Sequence, residues 1–287
     1  MRTLPSALLL LAVAAAPVPA QTAPHTFQVP TTNPPAAVRQ RIAATDVEVE
    51  YNRPRVKGRT IFGGLVPWDQ VWRTGADRAT RITFSTPVTL GGTRIEAGSY
   101  ELFTIPARDG WTVIVHRNQS QWGSYAYDPA NDVARVTARP VALSEPVESF
   151  TISIDDVANS SATLNIAWER TRVPLRLEVD VEETVVPRLE EALRSEGRRP
   201  WFLAAMFYFE NDLDIDRAAE LIGMAVEESP NHIGILHRQA LILEKKGDIA
   251  GAIQAAERSL AGAAQSPEEL RLEYTRLNTA LLARLRR

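Results

Sequence analysis

The stretch Phe150-Thr151-Ile152-Ser153-Ile154 alternates apolar and hydroxyl-bearing side chains. Because successive side chains of a β-strand point to opposite faces of the sheet, this alternation predicts a strand with one buried face. Turn-forming residues separate three further stretches with the same period of two, at residues 111–115, 164–168 and 175–179. Short strands of this kind are typical of all-β domains. We therefore predict an antiparallel β-sandwich or jelly-roll-like domain over residues 38–182.

The apolar period changes to 3.6 residues after residue 187, which predicts a second, all-α domain over residues 187–287. Gly197 and Pro200 mark helix ends in this region. The large and small positions typical of tetratricopeptide repeats are occupied by Trp201, Ala205, Tyr208, Ala218, Ala225 and Pro230. A second unit follows from Gly247. We predict a small tetratricopeptide-like helical domain, since a stable solenoid usually needs at least three repeats.

The first 37 residues are predicted to lie outside both domains. Arg2, the apolar residues 7–16 and the Val18-Pro19-Ala20 sequence are typical of a signal peptide over residues 1–20, cleaved after Ala20. A membrane anchor is the alternative, although the apolar run is short for a bilayer. The proline-rich residues 21–37 predict a disordered tether. We expect an exported protein, periplasmic or secreted, with no transmembrane segment in the mature chain.

The composition excludes several kinds of site. The sequence contains no cysteine, which excludes disulfides, a lipid-modified cysteine, thiol catalysis and thiolate metal sites. Without Arg2, the mature chain keeps 31 Lys and Arg residues against 35 Asp and Glu residues, a net charge of −4. This acidic balance argues against a nucleic-acid partner. Motifs for nucleotides, zinc proteases and nucleophile elbows are missing from the sequence, and we predict no cofactor and no metal.

Residues 51–81, here called the basic segment, carry seven basic and two acidic side chains in this acidic protein. Four of the cations occupy alternate positions, namely Arg53, Arg55, Lys57 and Arg59. If the backbone is extended, all four point to one side. Pro54 has no amide proton for a ladder, which predicts a sheet edge or a loop. We predict that the four cations bind an anionic ligand, and a solvated strand face paired with acids is the alternative.

Aromatic side chains accompany these cations. Trp72 and Arg73 lie in the basic segment, and Trp122 and Tyr127 lie in a second aromatic stretch over residues 121–128. Aromatic faces beside amides and cations suit sugar rings, so we predict that these four residues contribute to an anion or glycan site. The alternatives are core packing of Trp72, stacking or ion pairing of Arg73 within the protein, and a loop whose aromatics cover a sheet end.

Acid–base chemistry has few candidates in this sequence. His116, at the end of a predicted strand, is a weak candidate together with Asp77 and Asp128. A lone histidine is more often structural than catalytic, and we assign no catalytic residue. Asp128 also begins a carboxylate-rich turn, but its spacing matches no EF-hand loop.

Several motifs in order along the chain resemble those of one family. They are Tyr51-x-Arg53-Pro54-x-Val56-Lys57-Gly58-Arg59-x-Ile61-Phe62-Gly63, Val66-Pro67, Val71-Trp72-Arg73-Thr74-Gly75-Ala76, Ala97-Gly98-Ser99-Tyr100, Phe103-Thr104-Ile105-Pro106 and Gln121-Trp122-Gly123. Over residues 36–180 the chain resembles the DUF2911 family of exported bacterial proteins of unknown function. The resemblance implies a secreted or periplasmic β-domain, sometimes followed by helical repeats. It transfers no catalytic residue.

Three functions follow as hypotheses. The first is a non-enzymatic envelope protein whose β-domain binds an anionic or glycan ligand and whose helical repeats hold a protein partner. The second is a hydrolase of envelope or imported polymers that uses the acid–base candidates. The third is a structural adaptor in which the basic segment packs internally. Convergence of Arg53, Arg55, Arg73 and Trp122 on one concave surface would favour the first hypothesis.

Overall fold

The computed structural model describes residues 30–117 and 120–287 of the chain. The predicted signal peptide and residues 21–29 of the predicted tether lie outside the described residues. The chain divides into two units, residues 1–32 and residues 33–287. All the strands and helices named below belong to the second unit.

The first part of this unit consists of two antiparallel sheets. Its strands are β1 (Pro35–Ile42), β2 (Thr45–Asn52), β3 (Thr80–Phe84), β4 (Val88–Leu90), β5 (Thr93–Ile95), β6 (Gly98–Ile105), β7 (Trp111–Arg117), β8 (Asp132–Ala138), β9 (Val141–Asp155) and β10 (Ser161–Glu178). One sheet has the order β1-β2-β3-β6-β7-β8 and the other β5-β4-β10-β9. The predicted antiparallel β class is confirmed. Strand β1 begins at Pro35, three residues before the predicted start of the domain.

Alternating burial explains why the two sheets share one core. Every second side chain of β2 is buried, from Thr45 to Tyr51. In β9 the buried side chains are Phe150, Ile152 and Ile154, the apolar half of the alternating stretch. The apolar members of both sets belong to one continuous cluster, so the sheets pack face to face as a sandwich. Removal of this apolar surface from water is the main stabilisation of the fold.

The two alternating stretches at residues 164–168 and 175–179 overlap one long strand, β10. The pairing of β10 with β9 shifts register on both sides of Glu169, whose φ is 52°. A bulge of this kind bends a strand without ending it. The sequence therefore shows two separate alternating stretches where the structure has one bent strand.

The second part of the unit is helical. Its helices are α1 (Val181–Thr184), α2 (Val186–Arg194), α3 (Trp201–Glu210), α4 (Ile215–Glu228), α5 (Ile233–Lys246), α6 (Ile249–Ala263) and α7 (Glu268–Leu285). Within the part of the chain that the structure describes, no helix combines the length and the apolarity needed to cross a bilayer. The predicted all-α part is confirmed, whereas its likeness to tetratricopeptide repeats stays a prediction.

Local capping sets the ends of these helices. Asp248 caps α6 by accepting a hydrogen bond from the Gly251 amide at 2.9 Å. Gly247 ends α5 with a left-handed φ of 90°, the usual conformation of a glycine after a helix. Between α5 and α7, His237 hydrogen-bonds Asn278 at 2.8 Å, and burial lowers the pKa of His237. These polar contacts fix helices whose apolar faces pack into two small cores.

Two polar contacts connect the helices to the sandwich. The Asn159 side chain, in the turn between β9 and β10, donates to the Glu210 carbonyl at 2.9 Å. Arg94 of β5 forms a bidentate ion pair with Glu183 of α1, with N–O distances of 2.7 and 2.8 Å. The apolar cluster of the sandwich shares no residue with the clusters of the helices.

Candidate functional site

The basic segment connects β2 to β3 and is fastened to both sheets on the way. On one side, the Phe150 amide of β9 donates to the Pro54 carbonyl at 2.9 Å. On the other side, Trp72 and Thr104 of β6 exchange two backbone hydrogen bonds of 2.7 and 2.9 Å. Pro54 lies outside the strands, as its missing amide proton predicts. The segment therefore forms an ordered loop that bridges the two sheets.

Trp72 lies in the core of the sandwich. Its side chain is 9 % exposed, and its ring stacks on Trp168 with 5.9 Å between centroids. The rings of Phe62, Trp111 and Phe150 contact it edge-on. Its Nε1 donates to the Gly75 carbonyl at 3.0 Å. This environment is that of a packing residue, and it fixes the backbone that carries the next residue, Arg73.

The four alternate cations do not form one row. Lys57 has a φ of 48°, so the extended backbone that such a row requires is interrupted there. Arg53 donates two hydrogen bonds to β9. Arg55 pairs with Glu148 at 3.4 Å, and Arg59 folds back to donate to carbonyls of its own segment. Three of the four guanidinium or ammonium groups thus have partners within the protein.

Arg73 differs from these cations. Its Nε is fully buried and has no hydrogen-bond partner, and among the described residues no acid forms an ion pair with its guanidinium. Asp77, four residues after Arg73, instead accepts from the Asn33 side chain at 3.3 Å. A cation that is partly removed from water without a counter-charge is destabilising, unless an anion compensates it. Arg73 is therefore a half-buried cation whose charge the described residues leave unmatched.

Arg73 lines a cavity of about 360 Å³, here called the Arg73 cavity. Arg59 lines it as a second cation, and the described lining contains no acid. The other lining residues are Asn33, Pro54, Leu65, Val66, Pro67, Gln70, Val71, Trp72, Gly75, Ala76, Ser124 and Trp168. The volume lies within the range of small-molecule sites, and the wall exposes more polar than apolar surface. A polar wall with two cations and no acid suits a small anion.

The aromatic stretch at residues 121–128 lies against Arg73. The Gly123 amide donates to the Asp77 carbonyl at 2.8 Å, which ties the stretch to the basic segment. Gly123 has a φ of 73°, and a Cβ there would lie 2.7 Å from Tyr125 Cε2 and 3.1 Å from Arg73 Nη1. A glycine is therefore needed for this close approach. Trp122 and Tyr125, on either side of it, are 61 % and 85 % exposed and present aromatic faces to solvent.

Tyr127 has a different environment. Its hydroxyl donates to the Asp132 carboxylate at 2.8 Å and accepts from Arg135 at 2.7 Å. Burial, followed by the hydrogen bond to Asp132, raises the pKa of Tyr127 to about 12. The phenol is thus held within the protein and is not among the residues that line the Arg73 cavity.

The weak acid–base candidates lie in separate environments. His116 is fully buried, and its ring nitrogens lie 2.9 and 3.2 Å from the carbonyls of Arg117 and Asp128. The Asp128 carboxylate caps a short 3₁₀ helix by accepting from the Ala130 amide. Neither these residues nor Asp77 line the Arg73 cavity. In the described part of the chain, no group of three or more His, Asp or Glu side chains could hold a metal ion.

One buried carboxylate, that of Glu101, was not among the residues predicted from the sequence. Its side chain is 2 % exposed and accepts from the Gln121 amide at 2.6 Å and from Gln121 Nε2 at 2.9 Å. Pairing of β6 with β7 places it opposite His116, with 3.7 Å between Oε2 and Nδ1. No local sequence signal separates this glutamate from an exposed one, because its partners are reached only through strand pairing.

The structure brings together part of the predicted site. Arg59, Trp72 and Arg73 line one cavity, whereas Trp122 is not among its lining residues. Arg53, Arg55, Lys57 and Tyr127 are not among the residues that line this cavity. We predicted that four residues converge on one concave surface, namely Arg53, Arg55, Arg73 and Trp122. Only Arg73 of these four lines the cavity.

Comparison with known proteins gives one match. The model of a family described as "Protein of unknown function (DUF2911)" matches residues 33–177. The match spans β1 to β9 and all but the last residue of β10, and it includes both the basic segment and the aromatic stretch. No curated protein and no solved structure matches the chain.

Proposed function

The chain belongs to the DUF2911 family of proteins of unknown function, and from this premise we propose that its sandwich binds a small anionic ligand in the Arg73 cavity. The observation that carries the proposal is the half-buried guanidinium of Arg73, for which the described residues provide no acceptor. A phosphate, sulfate or carboxylate group would supply both the charge and the acceptors. Arg59, also in the lining, adds to the positive potential.

The exposed aromatic residues favour a ligand that also carries a ring. Trp122 and Tyr125 lie on either side of Gly123, which packs close to Arg73. An anionic sugar could direct its acidic group to the guanidinium and its apolar face to one of these rings. We therefore propose an anionic glycan as the fuller form of the ligand.

A hydrolase would need its acid and base within hydrogen-bond reach of one substrate. His116 is fully buried, and Asp128 and Asp77 accept hydrogen bonds from separate partners outside a shared cavity. Binding is therefore the function that we propose for the sandwich. The predicted protein partner of the helices stays a prediction. A cavity of about 540 Å³ beside the exposed Leu203 is the place where it could be sought.

Thermal unfolding in the presence of sulfate, phosphate and glucuronate tests the anion site. A ligand at about 100 times its Kd stabilises the folded state by about 2.7 kcal/mol, which raises Tm by several degrees. We expect such a rise for the unmodified chain and its loss in Arg73→Gln. Arg73→Lys keeps the charge but not the planar fork, so we expect a smaller rise than in the unmodified chain.

Arg172→Gln is the matched control, because it removes one charge from an exposed position of β10 that is not among the residues lining the cavity. It should retain the full response to each anion. Potassium chloride at equal ionic strength separates binding from general salt effects. An equal response of Arg73→Gln and the unmodified chain, or no response to any of the three anions, would contradict the proposal.

A further inference from the structure

A second cavity, of about 560 Å³, lies at the other end of the loop that carries Arg73. Residues 73, 75 and 76 line the Arg73 cavity, whereas Arg78 and Ala79 line this one together with the ends of β1 and β2. The buried residues of its lining are Tyr51, Glu101 and Gln121. The two cavities share no lining residue. We call it the Glu101 cavity.

The charges that line the Glu101 cavity are two acids and two arginines. Arg81 forms an ion pair with Glu50, so these two charges compensate each other. The other two charged groups of the lining are the buried carboxylate of Glu101 and the exposed guanidinium of Arg78. Among the described residues, Arg78 has neither an ion pair nor a side-chain hydrogen bond. The cavity is thus left with a negative charge in its buried part and a positive charge at an exposed position.

Gln121 adds to the negative character of the buried part. Its Nε2 donates to Glu101, which fixes the orientation of the amide and places Oε1 on the other side. Gln121 is 7 % exposed, and its Oε1 is buried without a hydrogen-bond donor. Buried acceptors are nearly always paired, and an unpaired one is destabilising. Gln121 Oε1 therefore has no donor among the described residues, and it lies beside a carboxylate whose two oxygens each accept one hydrogen bond.

Two titratable side chains lie opposite Glu101 on its neighbouring strands. Arg81, its partner on β3, pairs with Glu50, and its partner on β7 is His116. Its Nδ1 is 3.7 Å from Glu101 Oε2, beyond a normal hydrogen bond, and 2.9 Å from the Arg117 carbonyl. The imidazole thus lies nearer to a carbonyl than to the acid. It is fully buried and is not among the residues that line the cavity.

We propose that the Glu101 cavity binds a zwitterionic ligand, an amino acid or a short peptide, with its ammonium group toward Glu101 and Gln121 and its carboxylate toward Arg78. An ammonium group supplies a positive charge next to the Glu101 carboxylate and a donor for Gln121 Oε1. A carboxylate matches the fork of an unpaired guanidinium. The volume lies within the range of small-molecule sites and leaves room for more than a single residue.

Isothermal titration calorimetry with four matched probes tests this inference. Alanine and alanylalanine carry both charges, N-acetylalanine lacks the ammonium group, and alaninamide lacks the carboxylate. We expect binding of one or both zwitterions and at least about tenfold weaker binding of each singly charged probe. Arg78→Gln should weaken the zwitterion about tenfold and remove the difference between it and alaninamide. Arg78 is exposed, so this variant is expected to fold.

Two control variants separate this site from the proposed anion site. Arg172→Gln removes a charge elsewhere on the sandwich, and Arg73→Gln removes the anion site, so both should bind the zwitterion as the unmodified chain does. No heat with either zwitterion at millimolar concentration would overturn the inference. So would equal affinity for N-acetylalanine, or unchanged affinity in Arg78→Gln. None of these results depends on whether Arg73 binds an anion.

Discussion

At the scale of single residues, the positions 72 and 73 show how packing can hold a charge in place. The Trp72 ring is surrounded by four aromatic rings and its nitrogen is hydrogen-bonded to the Gly75 carbonyl. Little freedom is left to the backbone that carries Arg73, so the base of this side chain is fixed at the cavity before any ligand arrives. Preorganisation of this kind lowers the entropic loss on binding.

We expect Trp72→Phe to destabilise the sandwich by about 2 kcal/mol. The smaller ring leaves space beside Trp168, and the Gly75 carbonyl loses its donor. Urea denaturation followed by circular dichroism measures the loss without relying on tryptophan emission. Trp122→Phe makes the same chemical change at a side chain that is 61 % exposed, and it should alter stability by less than about 0.5 kcal/mol. Equal losses in both variants would show that Trp72 is not a core residue.

The sequence was sufficient to identify the residues of this loop but not their separate roles. Basic and aromatic density pointed to Arg59, Trp72 and Arg73, which do line one cavity. The predicted row of four cations depended on an extended backbone, and the left-handed Lys57 interrupts it. Whether an arginine is paired depends on atoms far away in sequence. Arg53, for example, is satisfied by β9 almost 100 residues later.

At the scale of elements, helices were easier to predict than strands because their ends carry local signals. The predicted helix boundary at Pro200 and the predicted start of a second unit at Gly247 coincide with helix ends of the structure. Caps act within four residues of the helix end, so the sequence displays them directly. Strand β10 was divided in prediction because its bulge at Glu169 interrupts the alternation. Local sequence patterns likewise do not show which strands pair with each other.

Two glycines of neighbouring helices offer a matched test of backbone conformation. A Cβ added at Gly223, inside α4, or at Gly247, after α5, would meet no atom within 4 Å. Any effect of alanine must therefore come from the backbone. Gly223→Ala should stabilise the helical part by about 0.5–1 kcal/mol, because alanine favours helix interiors. Gly247→Ala should destabilise it by about 1 kcal/mol, because its φ is 90°. Chemical denaturation of the two variants would contradict this account if both shifts had the same sign.

At the scale of the whole molecule, residues 33–287 form one compact unit that contains separate apolar cores. The contacts that connect the sandwich to the helices include the hydrogen bond of Asn159 to Glu210 and the ion pair of Arg94 with Glu183. The latter two side chains are 50 % and 44 % exposed, and exposed ion pairs contribute little to stability. Two parts unfold cooperatively only when they share a substantial interface. The separate cores argue against such an interface between the sandwich and the helices.

We therefore expect the sandwich and the helices to unfold in two transitions. Five of the six tryptophans lie in the sandwich and Trp201 lies in α3, so Trp201→Phe makes tryptophan emission a probe of the sandwich alone. Circular dichroism at the helical minimum reports mainly on α1 to α7. In urea, the two signals of this variant should have different midpoints, with emission following the sandwich.

Core substitutions in each part make the same test sharper. Leu221→Ala and Leu102→Ala each truncate a fully buried leucine, the first in the helices and the second in the sandwich, at a loss of about 2–5 kcal/mol. Leu221→Ala should lower the urea midpoint of the dichroism curve alone. Leu102→Ala should lower the urea midpoint of the emission curve alone. If either variant moved both curves equally, the two polar contacts would couple the parts more strongly than their exposure implies. The helices would then stabilise the fold that carries both cavities, and truncation after residue 182 would weaken ligand binding as well as stability.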